Sequence, residues 1–185
     1  RAWAGLSFVA IPSSERTAAL ARAGGIRLSD FAAHPRLDLT IDGADQVERR
    51  TLNLIKGLGG ALLREKIVAD TSKRLLIVAD ATKLTERLNI PVPGEVVSFG
   101  LEATANKIAR LGARIRRRVD AAGAPYITDG GNAILDCDFG PIDDPAGLEL
   151  ALRALVGVIE TGLFIGRADE VLIADADGVR SLTRD

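Results

Sequence analysis

What most constrains the fold of this chain is a repeated order in which an apolar, strand-like run ends on an aspartate and is followed by a segment with helical composition. Leu37–Ile41 alternates and runs directly into Asp42-Gly43-Ala44-Asp45, and Arg74–Ala79 ends at Asp80. Between them, Ala61–Ala69 is built from helix-favouring residues. Upstream, Leu6–Ile11 reads as a short buried strand, and the Ala-rich Glu15–Ala23 reads as a helix that starts at Ser14 and stops at Gly24-Gly25. Strands that alternate with helices need crossover connections, so this part predicts an α/β layer around a parallel sheet.

The texture changes at Pro91-Val92-Pro93-Gly94, which reads as a stiff connection. Beyond it come a strand at Val96–Phe99 and a helix at Leu101–Leu111. Three short strands follow, at Arg114–Val119, Pro125–Thr128 and Ala133–Asp138. A helix at Pro145–Leu155 and an apolar strand at Val158–Ile165 complete the set. The order βα, strands, αβ predicts a small α+β unit of ferredoxin-like type. The tail, Glu170–Ala174 and Val179–Leu182 around Asp177-Gly178, reads as a hairpin.

Composition narrows the function classes. A formal net charge of −1 supplies no field to draw in nucleic acid or an anionic membrane. The longest apolar runs, such as Leu75–Ala79, are far too short to span a bilayer, and no signal peptide is visible. The lone Cys137 has no internal disulfide partner, which is consistent with a reducing, cytoplasmic setting. The sequence starts at Arg1 and contains no methionine, so further residues are expected upstream.

Two segments offer chemistry. Asp42-Gly43-Ala44-Asp45 stands at the carboxyl end of a predicted strand, where open α/β sheets place ligands. Its glycine permits a sharp turn, so two carboxylates either face one cleft and bind hydroxyls, or simply cap a turn. In Lys56-Gly57-Leu58-Gly59-Gly60-Ala61-Leu62-Leu63-Arg64-Glu65-Lys66, glycines lead into a helix and expose N–H groups suited to an anion or an oxyanion. Glu65 lies one turn into that helix with Ala61, Leu62, Val68 and Ala69 as its i±3 and i±4 neighbours, all apolar. Such a carboxylate is either exposed or partly desolvated, the second giving a raised pKa suited to proton transfer. The spacing is not that of a nucleotide P-loop, which excludes a simple ATPase. Lys83, after Asp80-Ala81-Thr82, either faces the same crevice or is a solvated loop residue.

In order, Asp-Gly-Ala-Asp, Lys-Gly-x-Gly-Gly-Ala-x-x-Arg-Glu-Lys and Ala-Asp-x-x-Lys resemble the ribose-5-phosphate isomerase type A family. The likeness continues through Thr128-Asp129-Gly130-Gly131-Asn132 and Thr161-Gly162-Leu163-Phe164, and so spans essentially the whole chain. The resemblance implies an aldose–ketose isomerase of the pentose phosphate pathway that interconverts ribose 5-phosphate and ribulose 5-phosphate through an enediolate. It assigns Glu65 as general base, with Asp42, Asp45 and Lys56 binding the sugar, helping to open its ring and stabilising the enediolate. Gly43, Ala44, Gly57, Leu58, Gly59 and Lys83 would complete the substrate pocket. It implies no metal and no organic cofactor. The family fold is a Rossmann-like domain with a ferredoxin-like lid, here 1–94 with 168–185, and 95–167. The family's dimers and tetramers, together with an apolar face around Leu148–Val156, predict a homodimer or homotetramer.

Three departures stand out. The family's strand and Gly-Thr-Gly-Ser-Thr phosphate loop are not within this sequence, Gln46 occupies a position that is often Glu, and Leu58 replaces a loop glycine. The first motivates an alternative, a non-catalytic sugar-phosphate-binding regulatory module. An amino-sugar-phosphate isomerase or a CoA transferase is disfavoured by Lys56 and Glu65 standing with Asp42 and Asp45. Other features read as structural: His34 as a surface loop residue, Arg114, Arg116 and Arg118 as a charged edge-strand stripe, and Asp136 and Asp138 around Cys137 as no metal site.

Overall fold

The computed structural model describes residues 5–184. The chain opens with α1 (Glu15–Ala23), whose first turn is capped by Ser14 accepting from the Thr17 N–H at 3.0 Å. There follow β1 (Thr40–Asp42), β2 (Gln46–Glu48), β3 (Leu54–Ile55), α2 (Leu62–Asp70) and β4 (Leu75–Asp80). A single 3-10 turn at Ala81–Lys83 leads to β5 (Leu84–Thr85) and β6 (Val92–Val96). Next come α3 (Leu101–Ala109), β7 (Arg114–Arg117), β8 (Ala133–Asp138) and α4 (Pro145–Arg153). The last elements are β9 (Val158–Thr161), β10 (Leu163–Phe164), β11 (Glu170–Asp175) and β12 (Gly178–Thr183).

These strands form three sheets. One has the order β1-β4-β11-β12, with β1, β4 and β11 parallel and β12 closing as a hairpin. A second has the order β7-β8-β6-β9 and is antiparallel throughout, the ferredoxin-like arrangement expected from the element order. The third, β10-β3-β2-β5, lies between them. Its short strands supply both cores: Leu54 and Phe164 join Leu75, Ile77, Val171 and Ile173, whereas the adjacent Ile55 and Leu163 join Val92, Val96, Ile108 and Leu135. A two-residue strand sends successive side chains to opposite faces, which is how one strand seals two cores.

The structure corrects several expected elements. Leu6–Ile11 forms no strand, only a parallel bridge from Ala10 to Leu28. The strand expected at Val96–Phe99 runs instead over Val92–Val96, through Pro93 and Gly94, because β8 and β9 flank it on both sides and bury all five residues. Phe99, left outside, is 92% exposed. Pro125–Thr128 makes only single bridges to its neighbours. The run Val158–Ile165 breaks at Gly162, so that β9 pairs with β6 and β10 with β3. The loop residue His34 is exposed as expected, with Ser29 Oγ 2.7 Å from its Nδ1.

Candidate active site

β1 and β4 run parallel, so Asp42 and Asp80 both stand at the carboxyl edge of the sheet. The chain turns after Asp42 through Gly43 and Ala44 and re-enters as β2 immediately after Asp45. β3 then returns antiparallel to β2 and delivers Lys56 beside the turn. Lys56 is held in place by its own backbone, its N–H donating to Gly162 O at 2.8 Å. Beyond it the loop bends at Gly57, where φ is +101° and an added Cβ would lie 2.8 Å from Leu62 Cβ. Only glycine fits that close approach of loop to helix. α2 begins at Leu62 and brings Glu65 back to Lys56.

The geometry is a buried charge cluster. Lys56 Nζ lies 2.9 Å from Asp42 Oδ2 and 3.2 Å from Glu65 Oε2, and donates to Gly43 O at 2.5 Å. Its side chain is only 4% exposed, and Nζ sits 5.4 Å from the centroid of the buried Phe164 ring. Among the described residues no hydrogen bond or ion pair joins Asp45 to Lys56; its Oδ2 accepts the Leu58 N–H at 2.8 Å and so ties the aspartate turn to the glycine loop. Among the described residues, Glu65 Oε2 is buried and no hydrogen bond meets it, although the Lys56 ammonium is close.

Burial pushes the Glu65 carboxyl above its ordinary value; the Lys56 charge pulls it back, and Asp42 and then Asp45 push it up again. A base that is partly desolvated and ion-paired to a fixed ammonium is equipped to take and return a proton. The expectation that Glu65 sits on an apolar patch has its structural counterpart in Leu62 and Val68, both buried.

The other expected site residues spread outward. Gly43, Leu58 and Gly59 are exposed, while Ala44 is half-buried. Lys83 closes the 3-10 turn that follows β4, on the same sheet edge as Asp42. Among the described residues, no hydrogen bond or ion pair joins it to the other four charged groups. Gln46 is buried, its amide donating to Asn89 Oδ1 at 2.7 Å and its carbonyl accepting from Asn89 N–H at 2.8 Å. An amide can do both at once and a carboxylate cannot, which accounts for the residue found there.

One reading changes. Arg114 and Arg116 lie on the solvated face of β7, paired across the strands with Asp138 and Asp136. Arg118 meets the same Asp136 but is not solvated: its side chain is 11% exposed and also reaches the carbonyls of Gly57 and Leu58. The turn Thr128–Asn132 is anchored on a buried carboxylate, Glu95 Oε1 accepting from Thr128 Oγ1 and Asn132 Nδ2, each at 2.9 Å. Phe164 was legible only as part of a motif; that it meets both Lys56 and Lys66 depends on the return of β10 beside β3.

Comparison with known proteins gives a consistent result. The profile of the family described as Ribose 5-phosphate isomerase A (phosphoriboisomerase A) matches residues 9–178. Ribose-5-phosphate isomerase A of Gloeobacter violaceus is 55% identical over 97% of this chain and 78% of that protein. The one from Gluconobacter oxydans is 52% identical over 95% of this chain and 77% of its own length. Among solved structures, ribose 5-phosphate isomerase A from Methanocaldococcus jannaschii superimposes with a TM-score of 0.92 at 34% identity, over 97% of this chain and 80% of that one. A D-ribose-5-phosphate isomerase in complex with phospho-erythronic acid gives 0.91 at 36% identity, over 95% and 78%.

Proposed function

The chain belongs to the ribose 5-phosphate isomerase A family, and from that premise we propose that it interconverts D-ribose 5-phosphate and D-ribulose 5-phosphate with Glu65 as general base. The observation that carries this reading is the Glu65 carboxylate itself, buried, without a hydrogen bond at Oε2 and 3.2 Å from a buried ammonium. A protein that only bound sugar phosphates would gain nothing from drawing a carboxylate out of water beside a second carboxylate, which raises its pKa. The regulatory alternative has no such observation behind it. The relative solved with phospho-erythronic acid supports the enediolate route, because a carboxylate carries the planar, two-oxygen charge of an enediolate.

The chemistry follows from charge conservation around Lys56. Glu65, as carboxylate, takes the proton from C2 of the open-chain aldose and becomes neutral. The negative charge moves to the enediolate oxygens of the substrate. Lys56 faces Glu65 before the transfer and lies within reach of the new oxyanion after it, so the fixed positive charge stabilises both states. The C2 hydroxyl proton passes to the C1 oxygen, and Glu65 returns its own proton to C1, which gives the ketose. Asp42 and Asp45 accept sugar hydroxyl protons and assist ring opening, the Gly57–Gly59 loop and Gly43–Ala44 line the pocket, and Lys83 adds a cation at the same sheet edge.

The reading extends to residues 1–94 with 168–185 as the catalytic unit and 95–167 as its lid. It also extends to a cytoplasmic homodimer or homotetramer in the pentose phosphate pathway. The exposed Leu150 and Val156 on and after α4 support self-association. The test is direct: the purified protein is supplied with ribose 5-phosphate and ribulose 5-phosphate formation is followed. Turnover that vanishes in Glu65→Gln supports the reading, whereas an inert wild-type protein or a fully active Glu65→Gln overturns it.

A further inference from the structure

Arg118 follows β7 directly and is remote in sequence from the charged cluster, and the catalytic reading gives it no part. Its guanidinium is used at every edge. Nε donates to Asp136 Oδ2 at 3.2 Å and Nη2 to Asp136 Oδ1, so a nearly fully buried carboxylate fixes the plane of the fork. That leaves Nη1 aimed at the glycine loop, where it donates to Gly57 O at 2.6 Å and to Leu58 O at 3.1 Å. From the same side, the Tyr126 hydroxyl donates to Gly59 O at 3.4 Å. Three consecutive carbonyls of one loop thus face donors from beyond β7.

Among the described residues no peptide bond is cis, and in a trans peptide the C=O and the following N–H point in opposite directions. The peptide joining Gly57 to Leu58 is therefore gripped at both ends: Arg118 holds its oxygen, and Asp45 Oδ2 accepts its N–H at 2.8 Å. Holding Leu58 O in the same way turns the Gly59 N–H away from Arg118. Among the described residues, that N–H meets no acceptor. The Leu58 and Gly59 N–H groups thereby face away from Arg118, while the Gly60 N–H closes the turn on Gly57 O at 3.0 Å.

We propose that Arg118 is a positioning residue of the isomerase, which orients the Gly57–Gly59 peptides so that Leu58 N–H fixes Asp45 and Gly59 N–H stands open to a substrate oxygen. This rests on the isomerase reading above. A lysine cannot replace the fork, because one ammonium does not hold both Asp136 oxygens in plane while serving two carbonyls.

The experiment compares wild-type protein with Arg118→Lys and Arg118→Ala in steady-state isomerisation, with the folded fraction measured by circular dichroism. The expected result is a kcat lowered on the order of 10- to 100-fold in Arg118→Lys, at an unchanged folded fraction, because misplacing reacting groups by about 1 Å has effects of that size. The acid limb of the pH–rate profile, set by Glu65, stays where it is in the wild type. Millimolar guanidinium partly restores Arg118→Ala. Arg118→Lys within about twofold of wild-type kcat overturns the proposal, as does a loss that only tracks the folded fraction. If Arg118→Ala does not fold, Arg118→Lys alone decides. A wild-type protein without isomerase activity refutes the premise instead, so the two failures are distinct.

Discussion

At the scale of residues, the site turns on how one carboxylate is kept both buried and ionisable. Burial raises the Glu65 pKa and Lys56 limits the rise. Above about 4.5 the unfolded chain has lost the Glu65 proton while the native protein still holds it, so the native state binds more protons and stability falls as pH rises through that window. Glu65→Gln removes this penalty. We expect kcat to drop by roughly 10²- to 10⁴-fold, the usual share of a general base, while the melting temperature at neutral pH is unchanged or higher. For the wild type, kcat/KM falls as pH drops through the raised Glu65 value, an acid limb above the ordinary carboxylate position. Because the charge of Lys56 is the largest influence lowering that value, Lys56→Met should move the acid limb of the residual activity to higher pH. A limb that stays in place would remove Lys56 from the control of Glu65. At this scale Glu65 is legible in the sequence, since its helical neighbours are all apolar. Arg118 is not, because alternation along a strand reports which face a side chain leaves from and not what it finds there.

At the scale of elements, α2 does two jobs with adjacent residues. Glu65 turns toward Lys56, and Lys66 turns into the protein, where its Nζ donates to Glu149 Oε1 and Glu160 Oε1 at 2.9 Å and to Leu163 O at 2.7 Å. All three protons of the ammonium are used, on α4, β9 and β10, and Nζ lies 4.9 Å from the Phe164 ring. Adjacent positions on a helix face different directions, and the structure makes Lys66 the bolt that sets the rotation of α2. Lys66→Met leaves the half-buried Glu149 without its cation and Glu160 with only Arg153 at 3.7 Å, and urea unfolding should show a loss of about 3 kcal/mol. Stability within about 1 kcal/mol of wild type would show that packing alone orients α2. β6 teaches the reverse lesson about local signals. Pro93 and Gly94 disfavour a strand interior, yet pairing with β8 and β9 on either side makes one.

At the scale of the whole molecule, the site lies where the parallel sheet, the antiparallel sheet and the small sheet between them meet, and Gly162 marks the junction. Its N–H donates to Pro93 O at 2.7 Å, its carbonyl accepts from Lys56 N–H, and an added Cβ would stand 2.2 Å from Lys56 O and 2.8 Å from Pro93 Cδ. Gly162→Ala must therefore push β3 from β6. We expect a destabilisation of roughly 3 kcal/mol with a lowered kcat in the molecules that fold, read by thermal melting and by turnover per folded site. A variant with wild-type stability and rate would show that the junction can relax. The sequence by itself determined what local pattern and chemistry can carry: the α/β and ferredoxin-like rhythms, the carboxylates at a strand end, the glycine loop before a helix, and Glu65 on its apolar patch. Only the tertiary structure decided which charges are buried together. Lys56 facing Glu65, Lys66 turned inward, Arg118 on the loop carbonyls and Gly162 between two sheets all depend on segments far apart in the chain. Contacts of that kind arise from how sheets pack and return, and no period within a single segment encodes them.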